Sequence, residues 1–411
     1  MAEPYLETFY NTDETKRFAF PGKLIWGSGS RRLVSELIPR SGSVDVYVDR
    51  YFADHHLSRE TLEPIHDSIR KIVAVAAEPK YQAVVGEAGA TGSSPDAVIA
   101  MGGGSTLDFA KAVTAMRLFG SVDGIGMGDK RGRRPQPDAR RPRIVALPTT
   151  AGTGAEASRY YVTYDAVTKH KVHGKSWELV ADWIVLDPAF VRSCPDSLLV
   201  ATAFDAFVHL FESLVCRHER SWFGQMLSYD AIPRLLRALD AVVHEGQRDD
   251  ENYLELLYSA SVGGIAISNV RTGNVHEAAG ALLELTDLSH PETLFVFWQS
   301  AYEQYADAVA DVTTQLFGRL AMVAPHLQIS TPERLTAWWS VLFDEMGITT
   351  RIRERVTALV SDAGEVRSRV FERVWSDRVW IEKESPVHLD ASAVGAFVDE
   401  ALSRAGLLLR D

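Results

Sequence analysis

Short β-branched and aliphatic runs alternate with helically spaced stretches through the first half of the chain, as at residues 44–48, 97–101 and 143–147. That alternation predicts a mostly parallel sheet with helices on its faces. Each run ends in turn chemistry: Asp49 after the first, Gly102-Gly103-Gly104-Ser105 after the second, Pro148-Thr149-Thr150 after the third. In open α/β sheets such carboxyl ends form the ligand crevice. From about Asp196 onward the turn signals thin out. Apolar positions there recur at i, i+3 and i+4 over residues 198–215, 222–243, 254–268 and 293–320, predicting helices throughout. The pattern changes between Pro188 and Pro195, so the expected division is an α/β domain at residues 1–190 and an all-helical domain at 191–411.

Composition narrows the functional classes. With 411 residues and 46% of them apolar, the chain is long enough for two domains with their own cores. Its formal net charge of −12 repels phosphate backbones, so no nucleic-acid partner is expected. Cys194 and Cys216 are too few for a disulfide framework and suit a reducing compartment. The first residues lack the basic and apolar segments of an export signal, and no apolar run approaches the roughly 18 residues that cross a bilayer. A soluble cytoplasmic protein with no membrane partner is expected, as a homo-oligomer taken to be a dimer. One stretch departs from the acidic average: Lys130, Arg131, Arg133, Arg134, Arg140, Arg141 and Arg143 face a single Asp138. It reads as a loop ahead of the third strand, either solvated or contributing cations to an anionic ligand.

Three features carry chemistry. The strand at residues 97–101 runs through Gly102-Gly103-Gly104-Ser105-Thr106 into a helical pattern, which lets a pyrophosphate approach bare backbone N–H groups at a positive helix end. Pro148 to Glu156, with Thr149, Thr150 and Thr153, offers hydroxyls and flexible backbone after the next strand. Farther on, Asp205 and His209 stand four apart on an otherwise apolar helix, so both project from one face. Charge taken into apolar surroundings must be paired or coordinated. An Asp–His hydrogen bond alone satisfies the pair; with His276 and His290 the set becomes four ligands for a first-row divalent metal, with a position open to a substrate oxygen. His55, His56, His66, His244 and His326 stand in polar contexts and receive no role.

Together these residues resemble the iron-containing (group III) alcohol dehydrogenase family of the dehydroquinate synthase-like superfamily. The match runs from Phe20-Pro21-Gly22 to the helical part, and its most specific pieces are Gly102 to Lys111, Pro148 to Glu156, the Asp205/His209 helix and the His276-to-His290 interval. The resemblance implies a nicotinamide dinucleotide in the N-terminal domain, on Asp49, Gly102, Gly103, Gly104, Ser105, Asp108, Thr149, Thr150, Thr153 and Lys171. It implies Fe²⁺, or Zn²⁺ in its place, on Asp205, His209, His276 and His290. Asp49 matches a position that disfavours a 2′-phosphate, so NAD(H) is expected over NADP(H), although Arg50 is adjacent.

The chain also departs from the family. Gly280 stands where a further histidine is usual, Ala203-Phe204 replaces Gly-Met before the aspartate, and Ala155 replaces a serine. Arg159 and Arg271 stand where small or neutral residues are usual, and a guanidinium suits bidentate capture of phosphonate, phosphate or carboxylate; the alternative is a structural salt bridge. The function expected is metal- and NAD(P)-dependent interconversion of an alcohol with its aldehyde or ketone, on a small substrate that the two arginines would let be anionic. The alternatives are a dehydroquinate synthase-like sugar-phosphate cyclase that uses NAD transiently and a non-catalytic nucleotide-binding protein.

Overall fold

The computed structural model describes residues 18–90, 93–120, 136, 139–167, 171–216 and 221–408. Of the basic stretch, Lys130, Arg131, Arg133, Arg134 and Asp138 lie outside these residues. The chain forms two compact units. One comprises Ala19–Cys194 with Arg248–Ser268; the other comprises Pro195–Gln247 and the chain from Asn269 onward.

The first unit is built on strands β1 (Lys23–Trp26), β2 (Val44–Asp49), β3 (Ile69–Val75), β4 (Ala97–Gly102), β5 (Arg143–Pro148), β6 (Tyr160–Tyr164), β7 (Lys171–Lys175) and β8 (Trp183–Leu186). Six of them form one sheet in the order β1-β8-β5-β4-β2-β3, every pair parallel. Strand β4 is buried at all six positions, which is why its sequence reads as an unbroken apolar run. On one face Val46, Val48, Ile99, Met101, Val145 and Leu147 pack with Phe52 and Phe190. The chain leaves β2 toward one edge of the sheet and β4 toward the other, so the carboxyl ends of β2 and β4 flank the switch point where such sheets bind ligands.

β6 and β7 pair separately as an antiparallel ribbon that the apolar pattern did not signal. Tyr161 lies opposite Gly174 in that ribbon, and a Cβ at Gly174 would stand 2.0 Å from the tyrosine ring. Glycine therefore makes room for a fully buried aromatic.

All described elements after Asp196 are helical. The helices at Asp196–Val215 and Trp222–Val243 begin and end within two residues of expectation, whereas residues 293–320 are not one helix. They divide into His290–Tyr305 and Ala310–Val323, and the turn between keeps both Tyr305 and Val309 buried without glycine or proline to mark it. The earlier start at His290 comes from a capping box, with Ser289 and Glu292 exchanging hydrogen bonds around Pro291.

One helix carries more apolar length than the count of uninterrupted apolar residues suggested. The helix Asp196–Val215 has 20 residues and a mean hydropathy of 1.7, long and apolar enough to span a bilayer by length and composition, yet 94% of that window is buried. Its apolar faces serve a core instead: Phe204, Phe207 and Phe211 meet Trp339 and Trp298 at ring separations of 4.8–5.2 Å.

The helix Asp250–Asn269 groups mainly with the α/β unit, not with the helices that flank it in sequence. The contact that holds it is backbone against backbone. Gly154, at φ 60°, lies so close to Gly264 that a Cβ on Gly264 would stand 2.0 Å from the Gly154 carbonyl oxygen. The Ser261 hydroxyl donates to buried Glu156 at 2.7 Å, and the Arg159 N–H donates to Ser268 Oγ at 3.0 Å. Replacing a helical glycine by alanine ordinarily stabilises by roughly 0.5–1 kcal/mol. Gly264→Ala is expected to reverse that sign and destabilise the α/β unit by about 1–3 kcal/mol, because two backbones must separate. Urea unfolding of the variant checks the sign.

Candidate metal centre and nucleotide-binding loops

In the helical unit four side chains from three helices converge. Asp205 and His209 lie on Asp196–Val215, His276 lies in the first turn of Asn274–Leu285, and His290 opens His290–Tyr305. Asp205 Oδ1 stands 3.6 Å from His209 Nε2 and 3.8 Å from Nε2 of both His276 and His290. These separations exceed the 2.7–2.9 Å of a charge-assisted hydrogen bond. They are near the roughly 3.3–3.6 Å expected between ligands held about 2.0–2.2 Å from one tetrahedral ion. The His209 and His276 rings stack at 4.6 Å.

Asp205 is 1% exposed, and its Oδ1, like Nε2 of His276, is buried without a hydrogen-bond partner. A buried charged acceptor without a partner costs more than the roughly 1–3 kcal/mol of a neutral one, so these orphaned atoms are what a divalent cation would satisfy. One carboxylate and three imidazoles suit Fe²⁺ or Zn²⁺ better than Mg²⁺ or Ca²⁺. The residues present therefore fit the metal. Burial opposes ionisation of Asp205, but the facing imidazoles outweigh it and hold the carboxyl well below the ordinary range.

Glu212 was not singled out in the sequence. It stands seven residues after Asp205 and three after His209, on the same face of the same helix. It is 4% exposed, and its carboxylate meets His276 Nδ1 at 2.6 Å while accepting the backbone N–H groups of Gly273 at 2.8 Å and Val275 at 3.2 Å. One carboxylate thus holds the start of the helix that carries His276 and sets that ring's orientation and tautomer, with Nδ1 protonated and Nε2 facing Asp205. The Asp-x-x-x-His-x-x-Glu spacing was the available signal. Burial works against a charged His276, but Glu212 and Asp205 prevail and push its pKa up to about 9.

In the α/β unit the two polar loops meet at the carboxyl ends of β4 and β5. A Cβ at Gly102 would stand 2.5 Å from Thr106 Oγ1 and 3.0 Å from the Cβ of Asp49; one at Gly103 would stand 3.1 Å from Thr150 Oγ1, and one at Gly104 2.6 Å from the Thr153 methyl. The glycines are therefore required for loop to pack on loop. They bring Asp49, Gly102, Gly103, Gly104, Thr150 and Thr153 together, with Gly103 capping the helix Gly104–Phe119, whose first turn holds no acidic residue. That is a helix end suited to an anion.

Other expected residues have structural duties. Ser105 Oγ accepts the Glu78 N–H, Asp49 accepts the Tyr51 N–H, and the buried Thr149 N–H donates to the Gly102 carbonyl. Asp108 accepts the Val162 N–H at 3.0 Å, and buried Lys111 donates to the carbonyls of Ser158 and Tyr160 at 2.6 and 2.8 Å, so this pair anchors the start of the β6–β7 ribbon to the helix. Burial pushes the Asp108 carboxyl up to about 6 against the pull of Lys111, and draws the Lys111 amine down to about 8 against Asp108 and Glu156. Lys171 opens β7, opposite Tyr164.

The two arginines belong to different units. The Arg159 guanidinium lies 4.8 Å from the Trp177 ring and 5.3 Å from that of Tyr160, an aromatic seat that fixes its direction. Arg271 is half-buried, five residues before His276.

Two outcomes follow for the metal centre. Glu212→Gln keeps the shape and removes the charge behind His276, and is expected to weaken Zn²⁺ affinity about 10- to 100-fold in a competition titration. Because the His276 pKa is raised to about 9, the ring is protonated at pH 7 and an arriving ion must displace the Nε2 proton. Affinity should therefore rise with pH up to about 9 and then level off, with one proton released from His276 per ion bound at pH 7. Calorimetry in buffers of different ionisation enthalpy measures that proton.

Comparison with known proteins agrees with this geometry. The family described as iron-containing alcohol dehydrogenase matches residues 21–188, and the Fe-containing alcohol dehydrogenase family, C-terminal, matches residues 199–357. An alcohol dehydrogenase from Thermococcus barophilus is 26% identical over 268 residues, covering 63% of this chain and 68% of that protein. The bifunctional aldehyde-alcohol dehydrogenase of Escherichia coli strain K12 is 28% identical over 295 residues, and the match spans 63% of this chain but about a third, 32%, of that protein's length. The fold is shared with sulfoacetaldehyde reductase from Bifidobacterium kashiwanohense, solved with NAD⁺, at a TM-score of 0.77 and 16% identity, covering 95% of this chain and 99% of the other. A sheet with a glycine loop, a buried Asp-His₃ cluster and two adjoining family matches that span most of the sequence lead to one conclusion: the chain belongs to the iron-containing alcohol dehydrogenase family of NAD(P)-dependent alcohol and aldehyde oxidoreductases.

Proposed function

We propose that this chain interconverts a small anionic aldehyde or ketone with its alcohol, using NAD(H) in preference to NADP(H) and a metal ion, Fe²⁺ or Zn²⁺, on Asp205, His209, His276 and His290. The observation that carries the reading is the convergence of those four side chains around buried, unsatisfied Asp205 Oδ1 and His276 Nε2. When bound, the metal supplies a Lewis acid for the substrate oxygen and the nicotinamide supplies or accepts hydride.

The chain's own residues do the remainder. Glu212 keeps a proton on His276 Nδ1, so Nε2 is the nitrogen that loses its proton to the metal. His209 and His276 are 7% and 8% exposed while His290 is 24% exposed, so the cluster is closed to water except on the side of His290. Position 280, one turn beyond His276, is a glycine, so no further imidazole there takes the alcohol proton, and the exposed side of the cluster at His290 is the one open to solvent. Asp49, at the β2 end beside Gly102, supports NAD(H), since its carboxylate repels a 2′-phosphate. Gly102–Ser105, Asp108, Thr149, Thr150, Thr153 and Lys171 are the proposed surroundings of the dinucleotide.

The anionic class rests on Arg159, held on two aromatic rings, and on Arg271. A protein of like fold whose name gives sulfoacetaldehyde as its substrate supports that reading.

The test follows NADH and NADPH oxidation over neutral and anionic aldehydes, on protein stripped by chelator and reloaded with Fe²⁺ or Zn²⁺. Asp205→Ala should lose the metal held by this cluster, and activity with it. Arg159→Ala or Arg271→Ala should raise KM for the anionic aldehyde about 10- to 100-fold, the worth of one hydrogen bond to a charged group, with little change for a neutral one. Equal losses on both substrates would remove the anionic assignment.

A further inference from the structure

The helical unit holds a second convergence of metal-type ligands. Asp240 lies in the last turn of the helix Trp222–Val243, Glu245 lies just beyond it, and His326 lies in the short 3₁₀ turn Pro325–Leu327. One ligand atom from each of the three lies within 4.8 Å of the others. The three come from two separate stretches of chain, so this is not a run of like charges along one helix face.

The two oxygens of Asp240 have different partners. Oδ1 meets His244 Nδ1 at 2.7 Å, and His244 Nε2 meets Glu345 at 2.8 Å. An imidazole with a carboxylate on each nitrogen donates from both and is charged. That ring is therefore fully engaged, and it fixes the direction of Asp240 from behind.

Oδ2 is different. It stands 3.4 Å from His326 Nε2, beyond a charge-assisted hydrogen bond and within the separation that two ligands of one ion adopt. The contrast within one carboxylate is informative. Oδ1 is taken up by a short ion pair, while Oδ2 keeps the longer separation that two ligands of one ion adopt. The Asp205 cluster shows the same longer spacing, at 3.6–3.8 Å. The charges also suit a dication. Asp240, Glu245 and Glu345 bring three negative charges against the one positive charge of His244, and the carbonyl end of the helix adds a partial negative charge.

We propose that Asp240, Glu245 and His326 form a second divalent-metal site of zinc class, with His244 and Glu345 as its supporting shell. One imidazole nitrogen and two carboxylate oxygens are a ligand set for Zn²⁺, with water completing the shell at the exposed edge. The ion would clip the end of Trp222–Val243 to the Pro325–Leu327 turn, and through His244 to the end of the helix Pro332–Glu345. Its role is structural and independent of the Asp205 cluster.

The test uses Zn²⁺ on the full chain after chelator treatment. Wild type should bind two equivalents and His326→Gln one, while His326→Gln reloaded with Fe²⁺ or Zn²⁺ keeps wild-type NADH-linked activity, which also shows that the variant is folded. In the Asp205→Ala background one equivalent should remain, and adding His326→Gln should weaken it at least 10-fold and abolish the upward shift in Tm that Zn²⁺ produces. Two equivalents retained by His326→Gln, or no Zn²⁺ bound by Asp205→Ala at tenfold excess, would overturn the second site. Failure at the catalytic cluster reads separately, as a wild type that binds no more Zn²⁺ than Asp205→Ala.

Discussion

Asp205 sits on a helix whose neighbouring positions are Phe204, Phe207 and Phe211, and it is 1% exposed. A carboxylate in such surroundings is tolerated only if something of opposite charge meets it. The imidazoles of His209, His276 and His290 do so, and each is bound to a particular helix register. The requirement therefore extends beyond the site: Asn274–Leu285 and His290–Tyr305 must begin where they do for His276 and His290 to arrive. Glu212 ties the first of these starts down by accepting the N–H groups of Gly273 and Val275, and the Ser289–Glu292 capping box ties down the second. The local devices that open the helices and the chemistry of the cluster are the same residues or their immediate neighbours.

The α/β unit shows a corresponding economy. Its glycines are explained first by packing, since Gly102, Gly103 and Gly104 stand against Thr106, Thr150 and Thr153, and Gly154 stands against Gly264. The bare backbone that a dinucleotide needs is thus present because two loops and a helix already need it. Asp108 and Lys111 illustrate the point further: residues inside the motif of the proposed cofactor loop hold a strand and its approach in place. A motif residue can belong to a binding site by building it.

Family membership restricts the chemistry to alcohol and aldehyde redox reactions but leaves the substrate to the side chains that differ within the family. The residues proposed to set it here are Arg159, Arg271 and Gly280. Phe204 belongs to the aromatic core, with Trp339 and Phe343 against it, so it serves packing. The arginines and the glycine are the positions through which selectivity can be argued.

The sequence by itself determined the parallel α/β half, the helical half, the two loops at strand ends and the four ligand candidates. Each of these is written in local spacing: short apolar runs ending in glycine or threonine, and Asp205 and His209 one helical turn apart. Spacing does not state where separate segments meet. Only the tertiary structure returned Asp250–Asn269 to the α/β unit, because that choice rests on two glycine backbones 110 residues apart in sequence. Only the tertiary structure paired β6 with β7, buried an apolar helix long enough to span a bilayer, placed Glu212 behind His276 and brought His326 to Asp240. Periodicity reports which face of an element is apolar, and the partner of a polar residue on that face is decided by the fold.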